Sequence, residues 1–260
     1  MAHGLVARLD ALAGRGDDTR LDSDPLGVVR TARDREAAAL LGAALAFGRV
    51  RQIRASLRRA LLALDGDRAV LDGFRHRWID GGDVAALLDG IARARGEYGS
   101  LEGLFRAGDD GDLATALDRF ADALRGDAPS RGLRFLLPRP RDGSACKRPL
   151  LFLRWVARPG GAADLGLWHS LAPARLIVPL DTHVHRIAYG LGWTDRKTPS
   201  WRAAIDVTNA LRRLDPADPV RFDFALAHLG IAGDCPRRRA PAICGRCNLR
   251  DYCRWFRSTT

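Results

Sequence analysis

The chain has 260 residues with 42 lysines and arginines against 31 acidic residues, so its formal net charge at pH 7 is +11. This length allows one large domain or two small ones. The longest apolar stretch, residues 37–47, is too short to cross a bilayer, which argues against a membrane protein. The N-terminus also lacks a basic region followed by a long apolar segment, so we expect a soluble, cytoplasmic protein.

Helical periodicity dominates the first half of the chain, and strand-like alternation is scarce. Apolar side chains recur at helical spacing, and Gly or Asp pairs separate the segments. The helices predicted before residue 130 cover residues 33–47, 53–64, 84–94, 101–105 and 113–124. The sequence contains no internal repeat, which argues against a solenoid. We therefore expect an all-α protein.

A turn-rich, basic link at residues 137–144 precedes a predicted helix at residues 145–156. Pro149 is compatible with a helix only in the first turn, which supports a start near residue 145. A glycine-rich loop at residues 159–166 follows. Three further helices are predicted: one that begins at Asp181, and two that cover residues 201–211 and 221–232.

The positive charge is concentrated in two segments. Residues 131–160 carry +7 and residues 235–260 carry +6, which leaves −2 for all other residues. A GC-rich genome would explain the preference for arginine over lysine, but it would not explain this clustering. Two concentrated basic segments are typical of proteins that bind a phosphate backbone, so we expect a nucleic-acid partner.

Four of the five cysteines lie close together near the C-terminus with the spacing C-x8-C-x2-C-x5-C; they are Cys235, Cys244, Cys247 and Cys253. Such clustering indicates a metal site. Structural zinc usually has two short C-x2-4-C pairs, and only one is present here. The single, widely spaced outer thiols favour a [4Fe-4S] cluster, with zinc as the alternative. A disulfide pair is a third possibility, disfavoured in a reducing compartment.

Only two of the 42 basic residues are lysines, Lys147 and Lys197. A lysine in such an arginine-rich chain indicates a role that arginine cannot fill, and chance retention at an exposed position is the alternative for either lysine. The clearest such role is nucleophilic amine chemistry, because an ammonium group can lose its proton and a guanidinium does not.

The segment Leu180-Asp181-Thr182-His183-Val184-His185-Arg186-Ile187 resembles the catalytic aspartate segment of the helix-hairpin-helix DNA glycosylases, the endonuclease III superfamily. The cysteine cluster resembles the iron-sulfur loop of endonuclease III. The separation of Lys147 from Asp181 is closer to that of the archaeal 8-oxoguanine glycosylases. The first cysteine gap is longer than in endonuclease III, and the hairpin consensus Leu-Pro-Gly-Val-Gly is absent, with Gly143 alone matching it. The chain thus resembles an uncharacterised bacterial branch of the superfamily.

The resemblance implies a two-lobed helix-hairpin-helix glycosylase fold. The first lobe would comprise residues 29–149, with the hairpin candidate at residues 136–156. The second would comprise residues 1–28 and 150–260, with the aspartate segment and the cluster loop at residues 235–253.

The implied function is base-excision repair, with Schiff-base lyase activity, on double-stranded DNA that carries a damaged base. Lys147 would attack the anomeric carbon, and Asp181 would stabilise positive charge on the sugar and assist deprotonation. Lys197 is the second choice for the nucleophile. A monomer associated with the nucleoid is expected. The alternative is a non-catalytic nucleic-acid-binding protein of the same fold.

Six residues are predicted to contact DNA: Gly143, Arg148, Lys197, Arg237, Arg238 and Arg239. Gly48 and Arg49, after the first long predicted helix, are candidates for a wedge or gap-filling loop. Trp168 is the candidate wall for an extruded base. A core tryptophan is an equally good interpretation of Trp168.

Asp181, His183 and His185 would form a metal site on a strand, but on a helix the two histidines point about 200° apart. A helix capped by Asp181 is therefore preferred. His183 is then expected to pack between helices or contact phosphate, and His185 to lie at the surface. Cys146 is expected to be buried.

Overall fold

The computed structural model describes residues 2–14, 24–159, 161 and 163–257. Within these ranges the chain is mostly helical, in agreement with the all-α prediction. The α-helices, numbered α1 to α14 in chain order, are Ala2–Ala13, Pro25–Arg30, Arg35–Ala44, Val50–Leu64, Gly81–Tyr98, Leu101–Gly108, Leu113–Arg125, Arg131–Leu136, Lys147–Ala157, Thr182–Gly190, Trp201–Arg212, Asp223–Ile231, Pro241–Cys244 and Arg254–Arg257. The strands β1 and β2, Arg75–His76 and Ile79–Asp80, form an antiparallel hairpin. The 3₁₀ helices are Arg68–Leu71, Pro140–Asp142, Pro173–Arg175 and Arg250–Tyr252.

Helices α3 to α7 correspond to the five helices predicted before residue 130. The described residues add α1 and α2 to that region. Helix α2 has only six residues, less than two turns, which is too few for its periodicity to be recognised in the sequence. No helix in the described ranges is long and apolar enough to span a membrane.

Helix α3 lies at the centre of the core, and every residue from Ala37 to Ala44 is buried. Its alanines present little side-chain bulk, so neighbouring helices can approach it closely. Helix α9 packs along it and buries Leu150, Phe152 and Leu153. This contact brings the N-terminal end of α9 next to the segment that follows α3.

The link between α8 and α9 forms a turn between two helices, in the region predicted to contain the hairpin. Gly143 has a φ of +76° in this turn, a conformation that favours glycine. Helix α9 begins at Lys147, and Pro149 is its third residue, so the predicted placement of this proline in the first turn is confirmed.

Helices α10 and α12 pack closely against each other near the end of the chain. Their contact requires a glycine: a Cβ added to Gly230 would lie 2.5 Å from the Cβ of His183. Because α10 begins directly after the predicted catalytic aspartate, Asp181, this packing positions one side of the candidate site.

Candidate functional site

A cleft of about 760 Å³ opens beside the N-terminal ends of α9 and α10 and along one side of α12. Apolar side chains form most of its wall, and charged side chains project between them. Its lining includes Asp24, Phe47, Gly48, Arg49, Lys147, Arg148, Trp155, Asp181, His183, Asp223, Phe224, His228 and Ile231. The two residues predicted to be catalytic, Lys147 and Asp181, therefore face the same cavity.

Lys147 is the first residue of α9 and is held at the cleft by a hydrogen bond. Its Nζ donates to the backbone oxygen of Ala46 at 3.1 Å. The preceding residue, Cys146, has a φ of +49°, which is uncommon for a residue other than glycine. The Cys146 thiol is fully buried and contacts the Pro138 backbone oxygen at 3.6 Å, as expected for a buried cysteine. Burial raises the pKa of this thiol to about 12, so Cys146 is not a nucleophile.

Asp181 caps α10 and uses its two carboxylate oxygens differently. Its Oδ1 accepts hydrogen bonds from the backbone N–H groups of His183 and Val184, both at 2.8 Å. Its Oδ2 lies 3.9 Å from the Nζ of Lys147. The predicted N-cap is confirmed, and one oxygen remains available for chemistry in the cleft.

A buried charge network lies behind this pair. Arg154, which is 2% exposed, contacts the carboxylates of Asp223 at 3.2 Å and Asp164 at 3.4 Å. Burial raises the pKa of Asp223 to about 6, and the positive charges of Arg154 and Lys147 oppose this shift. Burial also raises the pKa of Asp24, which lines the cleft and caps α2.

Sequence analysis missed Asp24, Arg154 and Asp223 as site residues. They come from three separate segments, and none belongs to a recognisable motif. Pro25 after Asp24 is a helix-start signal that could have identified the cap, but not its position beside Lys147.

The two histidines of α10 have different environments. His183 is half-buried, lines the cleft and packs on Gly230 of α12, which agrees with its predicted packing role. The prediction that His185 lies at the surface is wrong. His185 is 7% exposed, and its Nε2 is hydrogen-bonded to the backbone oxygen of Arg196 at 2.9 Å. The chain after α10 folds back over this ring, which helical spacing alone does not reveal.

Trp168 lies in the hydrophobic core and not in the cleft. Its side chain is 3% exposed and is surrounded by the rings of Phe105, Phe120 and Phe152. Its indole N–H donates to Glu36 at 2.8 Å. The ring has no free face for an extruded base, so this position corrects the base-wall interpretation and favours the core alternative.

A row of three aromatic residues leads outward from the cleft; we call Phe47, Phe135 and Trp78 the aromatic row. Neighbouring ring centroids are 5.0 Å and 4.7 Å apart. Trp78, on the β1–β2 hairpin, is 42% exposed. The guanidinium of Arg148, a predicted DNA contact, lies 3.8 Å from the Phe135 ring centroid and so packs on this ring at the wall of the cleft.

The other predicted DNA contacts are exposed. Gly143 lies in the turn before α9, Lys197 lies in the loop after α10, and neither lines the cleft. Arg237, Arg238 and Arg239 are exposed in the cysteine loop. Gly48 and Arg49 are exposed at the cleft, which is compatible with the predicted wedge position.

Cys235, Cys244, Cys247 and Cys253 line one small cavity of about 50 Å³, together with Trp255 and Phe256. Burial raises the pKa of the Cys235 and Cys247 thiols. Among the described residues, no three Cys, His, Asp or Glu side chains are arranged to hold one metal ion. Arg186 of α10 donates to the Cys235 backbone oxygen, so the cysteine loop is attached to the helix that carries Asp181.

Comparison with known proteins gives two relationships. Residues 24–232 match the family described as "Protein of unknown function (DUF2400)". The chain is 32% identical to Endonuclease III of Thermotoga maritima over 111 residues. The matched segment covers 42% of this chain and 46% of that protein. The chain thus spans about half the length of this curated relative. No solved structure matches the chain. Because the family match covers well over half of its residues, the chain belongs to the DUF2400 family of proteins of unknown function.

Proposed function

We propose that this protein is a DNA glycosylase with lyase activity, in which Lys147 is the nucleophile and Asp181 the assisting carboxylate. The observation that carries the proposal is the convergence of these two side chains, 3.9 Å apart, at the start of two helices in one large cleft. The partial similarity to Endonuclease III supports the same reaction class.

The geometry suits attack by an amine on the anomeric carbon of a nucleotide. Lys147 must first give up a proton, and Oδ2 of Asp181 is the nearby acceptor. The amine then forms a bond to C1′, the N-glycosidic bond breaks, and the base leaves with the bonding electrons and takes up a proton. Asp181 passes the proton from Lys147 on to the departing base, and the restored carboxylate then stabilises the positive charge that develops on the sugar.

The covalent intermediate accounts for strand cleavage. Ring opening of the sugar gives a Schiff base between Nζ and C1′. Loss of a proton from C2′ then expels the 3′ phosphate by β-elimination, and hydrolysis of the Schiff base restores the lysine.

The surface around the cleft supports DNA as the partner. Trp78 at the end of the aromatic row presents an exposed ring, and the guanidinium of Arg131 lies 5.5 Å from its centroid. Exposed aromatic rings beside arginines are suited to bases that have left the stack and to their phosphates. The formal net charge of +11 favours the same partner.

The cysteine loop belongs to the proposal as a [4Fe-4S] site, with zinc as the alternative. Four thiol groups around one cavity fit either group in donor type. A single zinc ion needs all four sulfurs at about 2.3 Å from one point, whereas a four-iron cube binds each thiolate at its own corner. The single, widely spaced outer cysteines favour the cube. A bound cluster would brace the loop that holds Arg186 and the exposed arginines.

A panel of duplexes, each with one damaged base, tests the proposed reaction. The protein should release at least one base and nick that strand, and borohydride should trap a covalent protein–DNA adduct. Base release without trapping would mean a glycosylase that uses water. If no duplex loses its base while binding persists, the protein is a non-catalytic DNA-binding protein.

A further inference from the structure

Helix α4 and the turn before it carry a basic surface that a count of charges along the chain does not reveal. Residues 48–64 contain five arginines and no acidic residue, which is a net charge of +5. This segment lies outside the two basic segments, in the part of the chain whose total charge is −2, so acidic residues elsewhere hide it in the sum. The fold gathers most of this charge on one helix of 15 residues.

Three of these arginines share one side of α4, and we call Arg51, Arg54 and Arg58 the arginine stripe. Their spacing of three and four residues places them within about 60° of one another around the helix axis. They face away from Ile53 and Ala60, which are buried in the core. Arg51 and Arg58 are exposed and Arg54 is half-buried. The stripe is about 10 Å long, since an α-helix rises about 1.5 Å per residue.

The arginine stripe has no carboxylate partner in the part of the chain that the structure describes. Other arginines are occupied by the protein itself. Arg59, on the flank of the same helix, donates to the backbone oxygens of Val70 and Asp72, and Arg119 of α7 forms an ion pair with Asp110 at 3.0 Å. Like charges three and four residues apart on a helix repel each other, so an anion bound along the stripe would relieve this repulsion.

The stripe leads away from the mouth of the catalytic cleft. Arg49, directly before α4, is exposed and lines the cleft together with Val50 and Ile53 of the first turn. The rest of α4 lies outside the cleft, and the stripe follows it from the second residue of the helix onward. A polymeric anion that enters the cleft at one nucleotide can therefore continue along α4.

A groove beside the stripe gives such a polymer room. Arg54 and Arg58 line a groove of about 580 Å³ between α2 and α4. Gly27 and Thr31 contribute to its α2 side. These small residues leave space for a backbone to approach the two guanidinium groups, which donate to phosphate oxygens in a planar fork.

We propose that the arginine stripe binds the sugar-phosphate backbone of the DNA on one side of the nucleotide held in the cleft. This inference rests on the proposed function and assigns a flanking contact to the same substrate. The axial length of the stripe equals about three nucleotides of one strand at about 3.4 Å each. A small free anion would contact only part of this length, whereas a continuous strand contacts all three arginines.

Neutral backbone linkages test the inference position by position. The probe is a duplex with one tetrahydrofuran abasic analogue, which cannot undergo β-elimination, and with a single methylphosphonate linkage moved along each strand in turn. Wild-type protein should lose affinity by at least about threefold at about three consecutive linkages on one side of the analogue, because each loses one phosphate contact. This window marks where the stripe lies on the DNA.

Paired substitutions then assign the window to the stripe. Arg51→Gln with Arg58→Gln should bind the unmodified probe about tenfold more weakly and should show less than about twofold loss at the same linkages. Arg51→Lys with Arg58→Lys keeps both charges and should keep the window. The matched control, Arg68→Gln with Arg119→Gln, removes two charges that are ion-paired to Asp89 and Asp110, and it should also keep the window. Melting temperatures verify that every variant folds.

A wild-type profile that is flat along both strands overturns the inference, as does a window that persists in the folded double glutamine variant. Equal loss of the window in the Arg68 and Arg119 control overturns it too, because the effect would then follow net charge alone. Borohydride trapping on a true abasic duplex is scored separately. A local window without an adduct contradicts only the lyase, and an adduct with a flat profile contradicts only the role of the stripe.

Discussion

At the scale of single residues, Asp181 combines a structural role and a chemical role. Asparagine caps helices about as well as aspartate, but it has no negative charge. We therefore expect Asp181→Asn to keep the stability of the protein within about 1 kcal/mol and to slow base release by about two to four orders of magnitude. Single-turnover rates and melting temperatures measure the two effects.

The matched variant Asp181→Ala removes the cap as well as the charge. It should lose about 1 kcal/mol more stability than Asp181→Asn at a similar rate of base release. Full activity in Asp181→Asn would show that the carboxylate acts only as a cap.

The buried carboxyl of Asp223 predicts a pH dependence of stability. Its pKa is raised to about 6, whereas an aspartate in an unfolded chain has a pKa of about 3.9. Between these values the folded protein binds a proton that the unfolded chain has released. The stability contributed by this group is therefore present at low pH and falls as the pH rises from about 4 to 6, by on the order of 2 kcal/mol.

The comparison of wild type with Asp223→Asn isolates this group from other titrating residues. Urea unfolding at several pH values should show the wild type losing stability relative to the variant as the pH rises through this window. A difference in unfolding free energy that stays constant with pH, or that changes in the opposite direction, would contradict the raised pKa of Asp223.

Lys147 and Asp181 could be predicted as candidate site residues because each carries a local signal, one from the scarcity of lysine and the other from the Asp-Thr-His segment. It could not identify Asp24, Arg154 or Asp223, because their relation to the site is entirely spatial. The Trp168 interpretation failed for the same reason. A tryptophan in a loop resembles a binding residue until the loop is seen to cover the core.

At the scale of elements, the contact between α10 and α12 depends on Gly230. We expect Gly230→Ala to destabilise the protein by about 1–3 kcal/mol, because its Cβ would lie 2.5 Å from the Cβ of His183. The strain should also displace the start of α10 and slow base release. Unfolding free energy and single-turnover rates check both effects.

Gly96, within α5, is the matched control. A Cβ at this position meets no atom within 4 Å, so Gly96→Ala should be neutral or stabilising by up to about 1 kcal/mol. Equal effects of the two substitutions would mean that helix propensity, and not the α10–α12 contact, determines the result.

The long amphipathic helices could be predicted from periodicity, because one face of each is buried in the hydrophobic core. The β1–β2 hairpin could not be predicted in this way, because strands of two residues are too short to show an alternation of apolar and polar residues. His76 holds this hairpin in place through hydrogen bonds to Ser56 at 3.0 Å and to the Phe47 backbone at 2.9 Å. These long-range contacts position Trp78 beside the cleft, and no local pattern predicted them.

At the scale of the whole molecule, the basic surface predicts salt-dependent DNA binding. Binding to undamaged duplex should weaken steeply as the salt concentration rises. Replacing Arg237, Arg238 and Arg239 with alanine should reduce the slope of log binding constant against log salt concentration by up to about 3. Affinity measured over a salt series, with melting temperature as the folding control, checks this. A slope near zero for wild type would contradict nucleic-acid binding itself.

The central claim is that Lys147 forms the covalent bond to DNA, and mapping the borohydride-reduced adduct by peptide mass spectrometry tests it most directly. The account predicts a single modified peptide with the sugar remnant on Lys147, no adduct in Lys147→Gln at unchanged DNA affinity, and a normal adduct in Lys197→Gln. Lys197 is exposed and does not line the cleft, which makes it the matched control. An adduct on Lys197, or one that persists in Lys147→Gln, would contradict the account.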